Sequence, residues 1–101
     1  MVITKSQARR LLLADMEQAR QAVARNVKVD LSPNQYDALA SFVFNVGEGQ
    51  FKRSSVLRHI NNGQLAEAAI SLLAYTRDSY GRVLGGLQKR RKQEFKMLLG
   101  V

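Results

Sequence analysis

The sequence predicts an all-α protein, a compact bundle of about five helices around a central, buried helix. Three observations carry that expectation. Proline occurs once, at Pro33, and Val, Ile and Thr are scattered rather than set in alternating runs. Apolar residues return every three or four positions along most of the 101 residues. One segment, residues 36–46, is apolar nearly all round, as a helix enclosed by its neighbours must be. The length suits one domain over residues 1–101 with a single core, and no repeat, linker or low-complexity tract divides it.

Each element has its own signal. Thr4, with Gln7 three residues later, is a capping-box pattern and opens a helix over residues 5–25. Ala8, Leu11, Leu12, Met16, Ala19, Ala22 and Val23 form its apolar stripe, broken only at Asp15, while Arg9, Arg10, Glu17, Arg20 and Arg25 fall opposite. Ser32, Pro33 and Gln35 supply the N-cap, the first helical residue and the capping-box partner of the central helix. Along that helix only Asp37, Ser41 and Asn45 draw a polar line, at spacing i, i+4, i+8. Gly47 and Gly49 end it. Ser54 or Ser55 caps a short helix holding Val56, Leu57 and Ile60, stopped by Asn62-Gly63. A fourth helix over residues 65–75 turns Leu65, Ala68, Ala69, Leu72 and Leu73 inward. Residues 76–86, with three glycines, read as an open loop. The last helix, residues 87–99, turns Leu87, Phe95, Leu98 and Leu99 inward.

Composition removes many chemistries. No cysteine means no disulfide, thiolate zinc site or thiol nucleophile, and His59 is the single histidine. Acid–base work by carboxyl groups needs two of them at a set separation, one with a raised pKa. The eight acids are Asp15, Glu17, Asp30, Asp37, Glu48, Glu67, Asp78 and Glu94. None lies in a desolvating apolar run, and most fall on expected solvent faces. Glu48, in the glycine turn, is the least ordinary and reads as a solvated turn residue; His59 reads as a surface histidine. Gly47-Glu48-Gly49 lacks both the third glycine and the preceding strand of a dinucleotide loop. No catalytic, metal or cofactor site is therefore expected.

Sixteen Lys and Arg against eight Asp and Glu give a net charge of +8, and residues 77–101 hold seven bases and two acids. The densest run is Lys89-Arg90-Arg91-Lys92, which reads equally as a polyanion-binding surface or a solubilising face. Helices on either side of Asn61-Asn62-Gly63-Gln64 could imitate a helix-turn-helix. Residues 65–75 nevertheless contain no Lys or Arg, so a basic helical protein binding nucleic acid, or a regulatory one, is only the alternative reading. No apolar stretch approaches the roughly 20 residues of a membrane span. The opening residues carry only the short apolar run Leu11, Leu12, Leu13 and Ala14, so no secretory signal and synthesis in the cytoplasm are expected.

Several motifs occur in one order. Ile3-Thr4-Lys5-Ser6-Gln7-Ala8, then Leu11-Leu12 and Asp15, are followed by Asn34-Gln35-Tyr36-Asp37-Ala38-Leu39-Ala40-Ser41-Phe42-Val43-Phe44-Asn45-Val46-Gly47. Ser54-Ser55-Val56-Leu57-Arg58, Asn62-Gly63, Ala68-Ala69 and Leu87-Gln88-Lys89-Arg90-Arg91-Lys92-Gln93-Glu94 continue the series. This series resembles the second, C-terminal lobe of phage-type lysozymes, the endolysins or muramidases. The resemblance implies that lobe's fold and a role in hydrolysing the β-1,4 bond between N-acetylmuramic acid and N-acetylglucosamine of peptidoglycan. By matching position it implies substrate-binding roles for Phe44, Asn45, Ser55 and Ser71, although Phe44 also fits an ordinary core residue. Tyr75 stands where the family usually has Trp, and Gly85-Gly86 where Pro-Gly is common.

The family's first lobe carries a catalytic Glu, an Asp or Cys nine residues on, and a Thr six residues later. Nothing here matches: nine residues after Glu17, Glu48 and Glu67 stand Asn26, Leu57 and Thr76. The resemblance thus implies a fragment or peptidoglycan-binding module that is inactive alone. Its expected partners are glycan strands and either a separate catalytic lobe or a second copy met through exposed apolar surface. Action on the cell wall would follow release from the host cytoplasm.

Overall fold

A computed structural model describes the backbone of residues 5–76 and 85–100, and the side chains of residues 16–76 and 86–100. Six helices follow in order: α1 (Lys5–Asn26), α2 (Pro33–Val46), α3 (Glu48–Arg53), α4 (Ser55–Asn61), α5 (Leu65–Leu72) and α6 (Gly85–Leu99). No strand occurs among the described residues. The Thr4 cap, the α1 stripe before Met16 and most of the 76–86 loop lie outside the described residues.

The central helix is α2, which packs on α1, α3 and α6, while α4 and α5 pack on each other and α5 on α6. Ala38, Leu39, Ala40, Phe42 and Val43 of α2 are buried. Against them lie Ala19, Ala22 and Val23 of α1, whose small side chains at i, i+3 and i+4 let the two backbones approach. Val56, Leu57 and Ile60 of α4, Ala68, Ala69 and Leu72 of α5, and Leu98 of α6 complete one core. Fully burying one large apolar side chain such as Phe42 stabilises the fold by about 1.5–3 kcal/mol.

The entry to α2 is built as its sequence predicts. Ser32 Oγ accepts from Gln35 N at 3.2 Å, and Gln35 Oε1 accepts from Ser32 N at 2.9 Å. Gln35 also donates to the carbonyl of Leu98 at 3.4 Å, tying this cap to the end of α6. Ser54 is the cap of α4, accepting from Leu57 N at 3.2 Å.

Three boundaries differ from expectation, one of them the start of α6 at Gly85, which makes Gly85 and Gly86 of the expected loop helical. The stretch after Gly47, expected as a turn, is the helix α3, and Gly49 lies inside it. The reason is Phe51, which is fully buried and meets Phe42 edge-on at 6.2 Å between ring centroids. A residue with one large apolar anchor can hold a helical turn that periodicity alone does not announce. Helix α5 stops at Leu72 rather than near residue 75. The next three N–H groups, of Leu73, Ala74 and Tyr75, each bond three residues back at 3.1 Å, the tighter pattern of a closing helix. That tightening places the Tyr75 ring edge-on to Phe42, with centroids 5.1 Å apart.

Gly47 makes the α2–α3 corner possible. Its φ of 88° and ψ of 157° fall in a region open essentially to glycine alone. Space is no obstacle there, since a Cβ would meet nothing within 4 Å at either Gly47 or Gly49. Gly47→Ala should therefore destabilise the fold by about 1–3 kcal/mol through backbone strain only. Gly49→Ala, on helical backbone, should stabilise it by about 0.5 kcal/mol. Chemical denaturation of the two variants beside the parent checks both signs.

Candidate functional site

The polar line of α2 turns out to be the seam between helices. Asp37 pairs with Arg20 of α1 at 2.9 Å, in an exposed position. Ser41 donates to Glu94 Oε2 at 2.6 Å, and Asn45 Oδ1 accepts from Arg91 Nη2 at 2.5 Å. Arg91 Nη1 in turn donates to Glu94 Oε1 at 2.5 Å.

Arg91 and Glu94 are buried, at 0% and 1% exposure. This corrects the sequence reading, which found no acid in a desolvating setting and counted Arg91 in a surface charge run. Spacing of i, i+3 on a basic helix suggests a solvated pair, whereas packing of α6 on α2 closes water out. The guanidinium carbon sits 5.0 Å from the centroid of the Phe42 ring, a cation–π contact that partly replaces the lost hydration. Burial pushes the Glu94 carboxyl above the ordinary carboxylate range, against the opposing pull of Ser41 and of the Arg91 and Arg90 charges. Burial likewise lowers Arg91, with Glu94 opposing, yet a guanidinium remains protonated. Arg91 Nε has no partner among the described residues.

A groove of about 500 Å³ runs between α1 and the end of α2. Ala19, Ala22 and Gly47 contribute small surfaces to it, Phe44 an aromatic one, and Gln18, Gln21, Arg25 and Glu48 polar ones. Glu48 is no freely solvated turn residue. Its Oε1 accepts from Arg25 Nη2 at 2.8 Å, and its Oε2 accepts from Arg25 Nε at 3.3 Å and Asn26 Nδ2 at 2.8 Å. The Arg25 bond first, then the Asn26 bond, hold the Glu48 carboxyl below the usual range. A group so held is ionised at neutral pH and unsuited to donate a proton to a leaving group.

The four residues singled out by sequence do not form one cluster. Phe44 is half-buried and lines the groove; neighbouring Asn45 engages Arg91 on the α6 side. Asn45 is exposed, not buried as its place on an apolar helix suggested, because it sits at the helix end. Its partner exists all the same. Ser55 opens α4 and Ser71 lies in the last turn of α5, both half-buried and neither lining the groove. His59 Nδ1 lies 2.8 Å from the Gln64 side-chain amide. Among the described residues no three His, Asp or Glu side chains gather as metal ligands. Sequence reasoning missed Arg91 and Glu94, although the i, i+4, i+8 polar line on α2 was a signal that polar partners must face it.

Two outcomes test these assignments. Glu94→Gln leaves Arg91 buried without its counter-charge and should cost about 3–5 kcal/mol in a denaturation experiment. Glu48 has a lowered folded pKa, so its stabilisation is present above the unfolded value of about 4.3 and is lost as pH falls through the folded value. Glu48→Gln should melt below the parent at pH 7, with the gap closing on acidification below about pH 4. A gap independent of pH would show that the Arg25–Glu48 charge contributes nothing.

Residues 1–94 match the family model described as phage lysozyme. The chain is 40% identical over 98 residues to the endolysin of Bacillus phage B103, covering 97% of this chain and 37% of that protein. It is 35% identical over 99 residues to the endolysin of Salmonella phage P22, covering 98% of this chain and 66% of that one. Among solved structures, the muramidase domain of SpmX from Asticaccaulis excentricus superposes with a TM-score of 0.86 at 38% identity, over 96% of this chain and 68% of that domain. The chain thus spans from about one third to two thirds of the length of these relatives. With the helical order, the buried central helix and these matches in agreement, the chain belongs to the phage lysozyme family.

Proposed function

We propose that this chain is the helical, glycan-facing lobe of a muramidase, forming one wall of a peptidoglycan cleft, and that the proton-donating carboxyl group comes from outside it. The family acts on peptidoglycan. The observation that supports the division of labour is the state of the carboxylates. Glu48 is held ionised by Arg25 and Asn26, and Glu94 is enclosed by Arg91 and Ser41. Neither is free to protonate a glycosidic oxygen. Phe44, Asn45, Ser55 and Ser71 are the residues assigned to the glycan side, Phe44 as an aromatic surface and Asn45 as a polar contact. One domain over residues 1–101, a separate catalytic lobe as partner, and action on the wall after synthesis in a host cytoplasm belong to the same reading.

The nucleic-acid alternative is weakened by packing. Arg91 leaves the basic run for the core, and α5 has no Lys or Arg.

The test is a fusion. A family first lobe joined ahead of Ile3 should produce muramidase activity, whereas the same fusion with its introduced Glu changed to Gln should be dead. The unfused chain should not clear suspensions of peptidoglycan-exposed bacteria, since a general acid supplies about 10²–10⁴-fold and positioning is lost with it. A fusion that melts cooperatively yet stays as inactive as its control would sink the proposal.

A further inference from the structure

Arg91 leaves the run Lys89-Arg90-Arg91-Lys92 for the core, and the cations left outside form a row. At about 100° per residue, Lys89, Lys92 and Lys96 fall within about 60° of one another around α6, opposite Arg91, Glu94 and Leu98. The row rises over about 10 Å of helix. All three lysines are exposed, and the other exposed side chains of α6, Gln88 and Gln93, are neutral and flank them. Glu94 is the one acid of this helix, and it is buried. Elsewhere exposed cations meet acids, Arg20 with Asp37 and Arg25 with Glu48; among the described residues the three lysines meet none. Like charges three and four residues apart destabilise a helix. A face that served solubility alone would intersperse the signs, as Glu17 and Arg20 do on α1.

We infer that this row of α6 binds a linear phosphodiester polymer, the class of the polyol-phosphate chains that bacterial walls carry. The inference goes beyond the cleft-wall reading and rests on it only for placing the chain beside a wall. Lysine binds phosphate as a compact point charge, whereas planar recognition of carboxylates favours the arginine fork, and no arginine stands in the row. A single-stranded nucleic acid needs aromatic surfaces on which bases stack, and α6 exposes none. A bilayer needs large apolar side chains to bury at its boundary, and those exposed among the described residues, Val29, Ile70 and Leu73, all lie off α6. A flexible chain of phosphates asks only for a line of cations.

The experiment titrates the whole chain with lipid-free poly(glycerol phosphate) at rising salt. The parent should bind, with log affinity falling linearly against log salt. Lys89→Gln/Lys92→Gln/Lys96→Gln should bind about tenfold more weakly at low salt, with that slope shallower by about two. Its melting temperature should stay at or above the parent's, since like-charge repulsion is relieved. Lys28→Gln/Lys52→Gln/Arg58→Gln removes the same charge from exposed positions off α6 and should stay within about threefold of the parent. Equal losses in the two triple variants would show that net charge alone is sensed, and overturn the inference. So would tighter binding, at matched phosphate, to duplex DNA or to phosphatidylglycerol vesicles. The fusion described above reads the cleft wall separately, on peptidoglycan stripped of phosphodiester polymer, where the lysine substitutions should leave its activity unchanged. An active fusion beside a parent that binds no polymer overturns this inference alone. An inactive fusion beside lysine-dependent binding overturns the cleft-wall reading and supports the row.

Discussion

The buried pair of Arg91 and Glu94 is the constraint around which the rest of the structure is arranged. Removing two charges from water costs several kcal/mol per ion, and their mutual attraction offsets that cost only when geometry is good and the remaining hydrogen bonds are made. Here α2 makes them. Ser41 and Asn45, one turn apart on the central helix, meet Glu94 and Arg91, almost one turn apart on α6, and Phe42 closes the face of the guanidinium. Because each helix holds half of the network, sliding α6 along α2 by even one residue would leave a charge buried without a partner. Apolar packing alone tolerates such slips; this seam does not.

The corner that follows α2 is governed by backbone conformation rather than charge. Gly47 turns the chain in a conformation that side chains resist, and Phe51 then anchors α3 under the core. Glu48, the first residue after the corner, ties back to Arg25 and Asn26 at the end of α1. The groove beside Phe44 exists because this corner is held open between two helices whose facing residues, Ala19 and Ala22, are small. The groove and the Asn45–Arg91 contact thus lie together at the C-terminal end of α2.

The helical class, the enclosed central helix, the cap at Ser32, a cap at Ser54 or Ser55 and the family itself were legible in the residues alone. Each of these is local: a cap needs three or four neighbouring residues, and an enclosed helix shows as apolar character on every side. The 3-and-4 spacing of Ala19, Ala22 and Val23 and the i, i+4, i+8 line of Asp37, Ser41 and Asn45 were equally visible. What the line was for could not be read, because its partners lie on other helices, Arg20 on α1 for Asp37 and, some fifty residues away on α6, Glu94 and Arg91 for Ser41 and Asn45.

Tertiary packing alone decided the environment of every charge. Arg91 and Glu94 carry nothing in sequence that separates them from Arg90 and Lys92; only the approach of α6 to α2 removes the first two from water and leaves Lys92 in it. The same holds for Glu48, whose neighbours in sequence are glycines but whose neighbours in space are Arg25 and Asn26. Asn45 shows the reverse case, an amide on an apolar helix that ends up exposed because the helix stops one residue later. Periodicity reports which face of a helix turns inward, since that depends on bond geometry and hydrophobicity summed over many residues. The protonation, orientation and partner of a single polar group depend on which atoms lie within about 3 Å of it, and only the folded chain sets those distances.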